Sequence, residues 1–346
     1  MHLVPASIRS RGRSDNFHLL RLVFATMVLF SHSYALAGAA EPLVSGRTMG
    51  SFAVHGFFVI SGYLVTGSFL NARTPIDYVW RRALRIVPGL VIAYALAIYL
   101  AGLHGNYVAN PVPYIANGSL WTLSWEVLLY GVLFIAGLTG MLSPAGMTAI
   151  YAAGLVLFGV SLRNDGETFL VVVPFFLLFC GGAFIRMREA DFDIRFMGVL
   201  SLAVLLALNL PGAPRALSAV VDFFPFLYGP GIGSGGLWLF LHVLTLPFAV
   251  MMIARYCPIS IPLTHDYSYG VYVFAWPAQQ LTVFYLLKWA LPVHPLAVFA
   301  ISGMVTFGLA ILLWHLVEKP AMRLKGSRAK SSGTRHWSDV PKADSA

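Results

Sequence analysis

Seven ionisable side chains fall inside or at the ends of long apolar runs: Arg21, His32, His55, Glu126, His242, His315 and Glu318. An ionisable group at bilayer depth costs about 2.5–3.5 kcal/mol on insertion scales, so each is a candidate for function. Arg21 and His32 are eleven residues apart. At 3.6 residues per turn that is three turns plus roughly 20°, so one helix face carries both, about 16 Å apart along its axis. Such a face offers an anion-attracting guanidinium at one level and a proton acceptor deeper in. The plainer alternative has Arg21 snorkelling to lipid headgroups and His32 bonding a neighbouring Ser.

Arg81, Arg82 and Arg85 form a second group, with Arg82 and Arg85 on one face at i, i+3. Guanidiniums so placed can fork onto the phosphate oxygens of a soluble cofactor, or simply anchor a helix end to lipid phosphate. A third group is Ser119-Leu120-Trp121-Thr122-Leu123-Ser124-Trp125-Glu126, with Tyr130 one turn on. An aromatic belt is ordinary at a membrane surface, but a carboxylate within it must pair, bond to hydroxyls or be protonated. Aromatic faces beside a carboxylate near the external surface suit a sugar ring, which marks Glu126, Trp121 and Ser124 as acceptor-side candidates.

The elements that hold these residues must be membrane helices. The 346 residues are 58% apolar and only 11% charged, against about 25% charged in a soluble domain, so polar side chains are too few to cover a water-soluble core. Runs of about 20 apolar residues give ten crossings, near 17–37, 52–70, 84–102, 121–138, 145–162, 168–185, 196–210, 237–254, 268–287 and 296–316. The expected fold is all-α, a polytopic bundle of about ten transmembrane helices. Of the 23 Lys and Arg, eighteen lie on the side of residue 1, four on the other, and Arg21 within the first span. The positive-inside rule then puts both termini in the cytoplasm. The net charge of +9 belongs to these loops and does not signal nucleic acid.

Three regions follow: a basic cytoplasmic N-terminus over 1–16, a membrane domain over 17–320, and a basic, disordered tail over 321–346 near the anionic inner leaflet. Ala216 to Tyr228 is apolar but short and holds Asp222 and Pro225, so it reads as external loop or re-entrant segment. Gly229 to Gly236 follows no strand and reads as a flexible loop rather than a phosphate cradle. Arg9, Arg11 and Arg13 before a run ending Ala35-Leu36-Ala37 look like a cleavable signal. The length of the run and the interruption by Arg21 favour a retained helix. Cys180 and Cys257 suggest neither a disulfide framework nor a metal or redox site.

Taken in order, these pieces resemble the membrane acyltransferase 3 family of bacterial integral-membrane O-acyltransferases, over about residues 14–325. The landmarks are Arg21 with His32; Phe57-Phe58-Val59-Ile60-Ser61-Gly62-Tyr63-Leu64; Arg82-Ala83-Leu84-Arg85; Ser119 to Glu126; Ser268-Tyr269-Gly270-Val271-Tyr272; and Val317-Glu318-Lys319-Pro320. The resemblance implies a multi-pass enzyme of the bacterial inner membrane. Its donor would be cytoplasmic acyl-CoA, usually acetyl-CoA, used as a substrate with no permanently bound cofactor. Its acceptor would be a hydroxyl of a cell-surface or exported glycan or glycolipid. It assigns activity to His32 and Arg21, donor binding to Arg82 and Arg85 with Arg81 beside them, and supporting roles to Tyr269 and Glu318. Two positions depart from the family pattern. His18 stands where many members carry Asp, so Arg21 has no i, i+3 carboxylate, and Ala275 stands where many carry a second His before Trp276-Pro277.

Transfer from a thioester to a sugar hydroxyl needs a base, and an imidazole suits that task. His32 is the candidate, either deprotonating the acceptor or carrying the acyl group itself. Ser33, Tyr34, Glu126 or Tyr269 could orient it. The rival from another class is a transporter or flippase for a lipid-linked sugar, although the inverted repeat common in such carriers is missing from the sequence.

Overall fold

A computed structural model describes residues 15–44, 46–162, 167–191, 193–223, 234–257, 261 and 263–327. Most of the N-terminal segment, the tail beyond 327, the last five residues of the Ala216 to Tyr228 stretch and most of the Gly-rich loop lie outside these residues. The helices are α1 (Phe17–Leu36), α2 (Met49–Leu70), α3 (Pro75–Leu103), α4 (Leu120–Leu138), α5 (Pro144–Ser161), α6 (Glu167–Arg188), α7 (Ile194–Ala207), α8 (Ala213–Phe223), α9 (Ser234–Tyr256), α10 (Ser268–Lys288) and α11 (Pro295–Leu313). A π-helical turn, Trp314–Glu318, carries α11 into a last helix, α12 (Lys319–Ser327). A two-residue hairpin, β1 (Leu43–Val44) with β2 (Arg47–Thr48), joins α1 to α2.

Each of the ten expected crossings coincides with a helix, and eight of them are long and apolar enough to span a membrane. The other two differ for separate reasons. α7 has 14 residues, about 21 Å of rise, short of the roughly 30 Å hydrocarbon core. α10 has 21 residues, but its few polar side chains keep it out of the eight, and protein surrounds them. It packs against α1, α3 and α11, and its buried Gln279 and Gln280 donate to Leu29 O at 2.6 Å and Val112 O at 2.7 Å. α8, with 11 residues, rises only about 16 Å and cannot add a crossing.

Hydropathy misjudged one helix start. α3 begins at Pro75, nine residues before the apolar run, because Thr74 caps it by accepting from Asp77 N at 3.1 Å and Pro suits the first turn. Arg81, Arg82 and Arg85 therefore lie on the helix itself. The Gly62 of the Phe57 to Leu64 landmark has a steric cause. A Cβ there would meet Phe179 O at 2.0 Å, and one at Gly182 would meet Val59 O at 2.1 Å, so α2 and α6 cross backbone to backbone. Small residues at such crossings are how membrane helices gain packing contacts.

The connection between α3 and α4 is re-entrant. Trp276 Nε1 donates to Ile115 O at 3.0 Å and Asn117 Nδ2 to Val273 O at 2.8 Å. Val273 lies five residues into α10, about 8 Å along it, so residues 104–119 descend into the bundle. Irregular backbone at that depth is tolerated where protein surrounds it and it lines a cavity.

Candidate active site

Two cavities occupy the middle of the bundle. The inner one, about 80 Å³, is lined by Arg21, Ser61, Arg82, Arg85, Glu126, Tyr130, Ser268 and Tyr269, among others. The outer one, about 190 Å³, is lined by His32, Glu41, Arg47, His55, Gly118, Ser119, Trp121 and Phe175 among others. Val54, Thr122 and Tyr272 belong to both walls. There the Thr122 and Tyr272 hydroxyls bond to one another, and Tyr272 also donates to Ser119 O at 3.1 Å.

Charge in the inner cavity is arranged unequally. Asp266, just before α10, accepts from Arg21 Nη1 at 2.6 Å and Arg85 Nη2 at 2.5 Å on the same oxygen, while Ser268 donates its hydroxyl to the other. Arg85 Nη1 also reaches Glu318 Oε2 at 3.0 Å. Both carboxylates are buried, so two cations and two anions balance. Burial alone would raise the Asp266 carboxyl, but Arg21, Arg85 and the Ser268 hydroxyl hold it well below the usual carboxylate range. Arg82 differs from both. It donates to Ser68 Oγ at 3.1 Å and sits 5.8 Å from the Tyr130 ring centroid, while its Nε is buried without a partner. Among the described residues no carboxylate pairs with Arg82, and it is the arginine of the inner cavity with charge to offer a ligand.

Glu126 accepts from Ser61 Oγ at 2.6 Å and Tyr130 OH at 2.5 Å, which satisfies a carboxylate held inside the bundle. His32 meets Trp276 edge to face at 5.0 Å, and its Nδ1 is buried with no hydrogen-bond partner. Ser33 is turned away: it donates to Leu29 O at 2.9 Å and accepts from Gln279 Nε2 at 2.7 Å. Ser31, on the other side, donates to Glu41, a member of the outer wall.

Residues 14–315 match a family described as an acyltransferase domain. The chain belongs to the membrane acyltransferase 3 family. It is 28% identical to an O-acetyl transferase of Shigella phage Sf6, over 89% of this chain and 96% of the relative. It is 25% identical to Nodulation protein 10 of Rhizobium leguminosarum bv. viciae, over 93% and 97%. Exopolysaccharide production protein ExoZ of Rhizobium meliloti (strain 1021) is 27% identical over 63% of this chain and 82% of its own length. No solved structure matches. The protein is therefore a multi-pass membrane O-acyltransferase, and none of these relatives is named as a carrier.

The acyltransferase 3 landmarks are distributed unevenly over this site. Arg21 lines the inner cavity and His32 the outer, as one helix face over three turns requires. The departure at His18 is made good from far away, because Asp266 supplies Arg21 with the carboxylate its own helix lacks. Arg82 and Arg85 share a helix face but not a partner, so they do not form one fork. Arg81 lies outside the cavity and pairs with Asp77 at 2.8 Å. Glu126 differs from its expected place near the external surface: the re-entrant 104–119 segment starts α4 deep in the bundle, and the carboxylate faces the inner cavity. Trp121 does line the outer cavity. Ser124 is exposed, with a 3.5 Å contact to Leu120 O, and lines neither cavity. Tyr269 donates to Ile86 O at 2.9 Å beneath Arg85, and Glu318 is bound to Arg85.

Sequence reasoning missed Asp266, Glu41, Arg47 and the Thr122–Tyr272 contact. Asp266 had one signal, as an acid two residues before a helix landmark in a chain with only 14 acids. Thr122 and Tyr272 each lie in a landmark but nothing paired them, and Glu41 and Arg47 had no signal, since loop folding and long-range packing assemble them.

Proposed function

We propose that this enzyme moves an acetyl group from acetyl-CoA, entering from the cytoplasm at the inner cavity, to a hydroxyl of a surface or exported glycan held in the outer cavity, within the bacterial inner membrane. Arg82 would hold donor phosphate, since it keeps an uncommitted guanidinium, and the acyl end would reach the contact between Thr122 and Tyr272. His32 lines the acceptor's cavity and not the donor's, which supports a base acting on the acceptor over a residue that carries the acyl group. In that step His32 takes the hydroxyl proton as the oxygen attacks the acyl carbon, the C–S bond breaks, and the thiolate leaving group recovers the proton from His32. The O-acetyl transferase and exopolysaccharide names of the relatives support the acetyl donor and the glycan acceptor.

The observation that carries this reading is the pair of cavities meeting at one shared strip, with Arg21, Arg82 and Arg85 on one side and His32, beside Arg47 and Glu41, on the other. The test supplies ¹³C-acetyl-CoA to purified protein in proteoliposomes and follows thiol release, alongside mass spectrometry of surface glycans from cells with and without the protein. The expected result is donor-dependent thiol release and a 42 Da increment on glycan, about the mass that replacing a hydroxyl hydrogen by acetyl adds in any ester-forming transfer. Thiol release without any change in glycan mass would overturn the acceptor assignment.

A further inference from the structure

His55 and His242 are on different helices and 187 residues apart, yet His55 Nδ1 and His242 Nε2 are 2.9 Å from each other in the buried core. His55 is about 9 Å along α2 from its start and His242 about 12 Å along α9. Aromatic rings enclose them, with Trp238 stacked on His242 at 5.1 Å, Phe52 edge-on to it at 5.8 Å and Phe175 edge-on to His55 at 5.7 Å. Two imidazoles in such a place cost desolvation that two apolar side chains of the same shape would not. The hydrogen bond between them offsets only part of that.

The bond has a direction that the rest of the ring atoms decide. In a pair of neutral imidazoles one ring nitrogen donates and the other accepts. His242 Nδ1 is buried and has no partner. Orphan N–H groups are rarer in folded proteins than orphan acceptors, so the hydrogen belongs on His242 Nε2, which donates to His55 Nδ1. The single ring hydrogen of His55 must then be on Nε2, the remaining polar atom of a side chain that lines the outer cavity with His32.

We propose that His55 presents its Nε2–H in the outer cavity as a hydrogen-bond donor to an oxygen of the acceptor sugar, and that His242 is the positioning residue that fixes this tautomer. This rests on the transfer reading given above and adds to it a residue that selects and orients the hydroxylic substrate. The two cavity imidazoles have complementary tasks: His32 must present a lone pair to take a proton, and His55 presents a proton to hold an oxygen. A site built to bond a substrate oxygen rejects an analogue without one, because its own donor is then left unpaired.

Two measurements test it. ¹⁵N-histidine NMR of the detergent-solubilised full chain, with His55→Gln used to assign the signal, reads the tautomer directly. Nε2–H on His55 is expected, shifting to a mixture in His242→Phe, whereas Nδ1–H on His55 would overturn the proposal. Glycan O-acetate per folded molecule in cells is the second readout. His55→Ala is expected to lose at least tenfold and His55→Gln, which keeps an N–H donor, to retain most of the wild-type level. Wild-type acetylation by His55→Ala, or equal loss in both variants at normal folded levels, would overturn the donor role. A wild-type protein that adds no acetyl to glycan would instead overturn the transfer reading, and this assignment with it, so the two failures are distinct.

Discussion

The hydroxyls of Thr122 and Tyr272 bond to each other in the strip of wall common to the inner and outer cavities. One comes from the first turn of α4, at the foot of the re-entrant segment, and the other from α10. Together with Val54 they separate the space lined by Arg21, Arg82 and Arg85 from the one that holds His32 and Arg47. In the transfer proposed above, this strip is where the thioester would meet the acceptor.

Replacing Tyr272 by Phe keeps the ring but removes the bonds to Thr122 and Ser119 O. Each such hydrogen bond contributes about 0.5–1.5 kcal/mol, so the partition should loosen without loss of fold. Water then competes with the acceptor, and the ratio of acetyl transferred to acetyl-CoA hydrolysed should fall several-fold. Parallel assays of thiol release and glycan acetate measure that ratio, and an unchanged ratio would show that the contact is no partition.

Arg82 and Arg85 should separate on substitution, although they share a motif and a helix face. Arg82→Ala removes charge-assisted bonds of about 1.5–3 kcal/mol and should weaken acetyl-CoA binding roughly 10- to 100-fold at normal folded yield. Arg85→Ala strands Asp266 and Glu318, and breaking a buried ion pair costs about 3–5 kcal/mol, so it should lower folded yield first. Arg85→Lys cannot span both carboxylates with one compact ammonium. Titration calorimetry together with size-exclusion yield distinguishes the two residues, and matching behaviour would restore the single-fork reading.

Asp266 gives a pH signature whose direction follows from its depressed pKa. A carboxyl held below its unfolded value of about 3.9 contributes stability that is full above that pH and is lost as pH falls through the folded value. Asp266→Asn should therefore melt below wild type by a constant margin between about pH 5 and 8, with the gap closing only below about pH 4. Thermal unfolding in detergent across that range checks it. A gap that opened at high pH and vanished by pH 6 would contradict the assigned charge state.

The ten helices were legible because apolar runs of crossing length are a strong signal, and even α10, with Gln279 and Gln280 inside it, was recovered as such a run near 268–287. Lateral pairing was not legible. Arg21 and Asp266 are 245 residues apart, and His55 and His242 sit on helices with no shared pattern, so no spacing rule connects them. Depth was legible only where a helix begins at the membrane surface. Arg21 and His32 lie at two levels of the bundle because α1 is one continuous helix, whereas Glu126 lies deeper than its place in the sequence suggests because the segment before α4 dips into the bundle.

His32 is the residue on which chemistry should depend most. Among the described residues no carboxylate orients it, and its Nδ1 has no partner, so the ring is placed by packing on Trp276 and by the rigidity of α1. A base without an orienting acid still contributes proton transfer, for which general acid–base catalysis typically supplies about 10²- to 10⁴-fold in rate. His32→Ala should lose at least that order of transfer while acetyl-CoA binding at Arg82 persists, since Arg21, which shares the inner cavity, is about 16 Å from His32 along the helix. A purely structural ring would have the opposite signature, with folded yield falling and turnover per folded molecule intact. His32→Gln separates the two further, because it keeps much of the packing and can hydrogen-bond but cannot hold a proton as imidazole does. Near-normal turnover by either folded variant would remove His32 from the mechanism and move the search for the base to Glu41, the carboxylate on the outer wall.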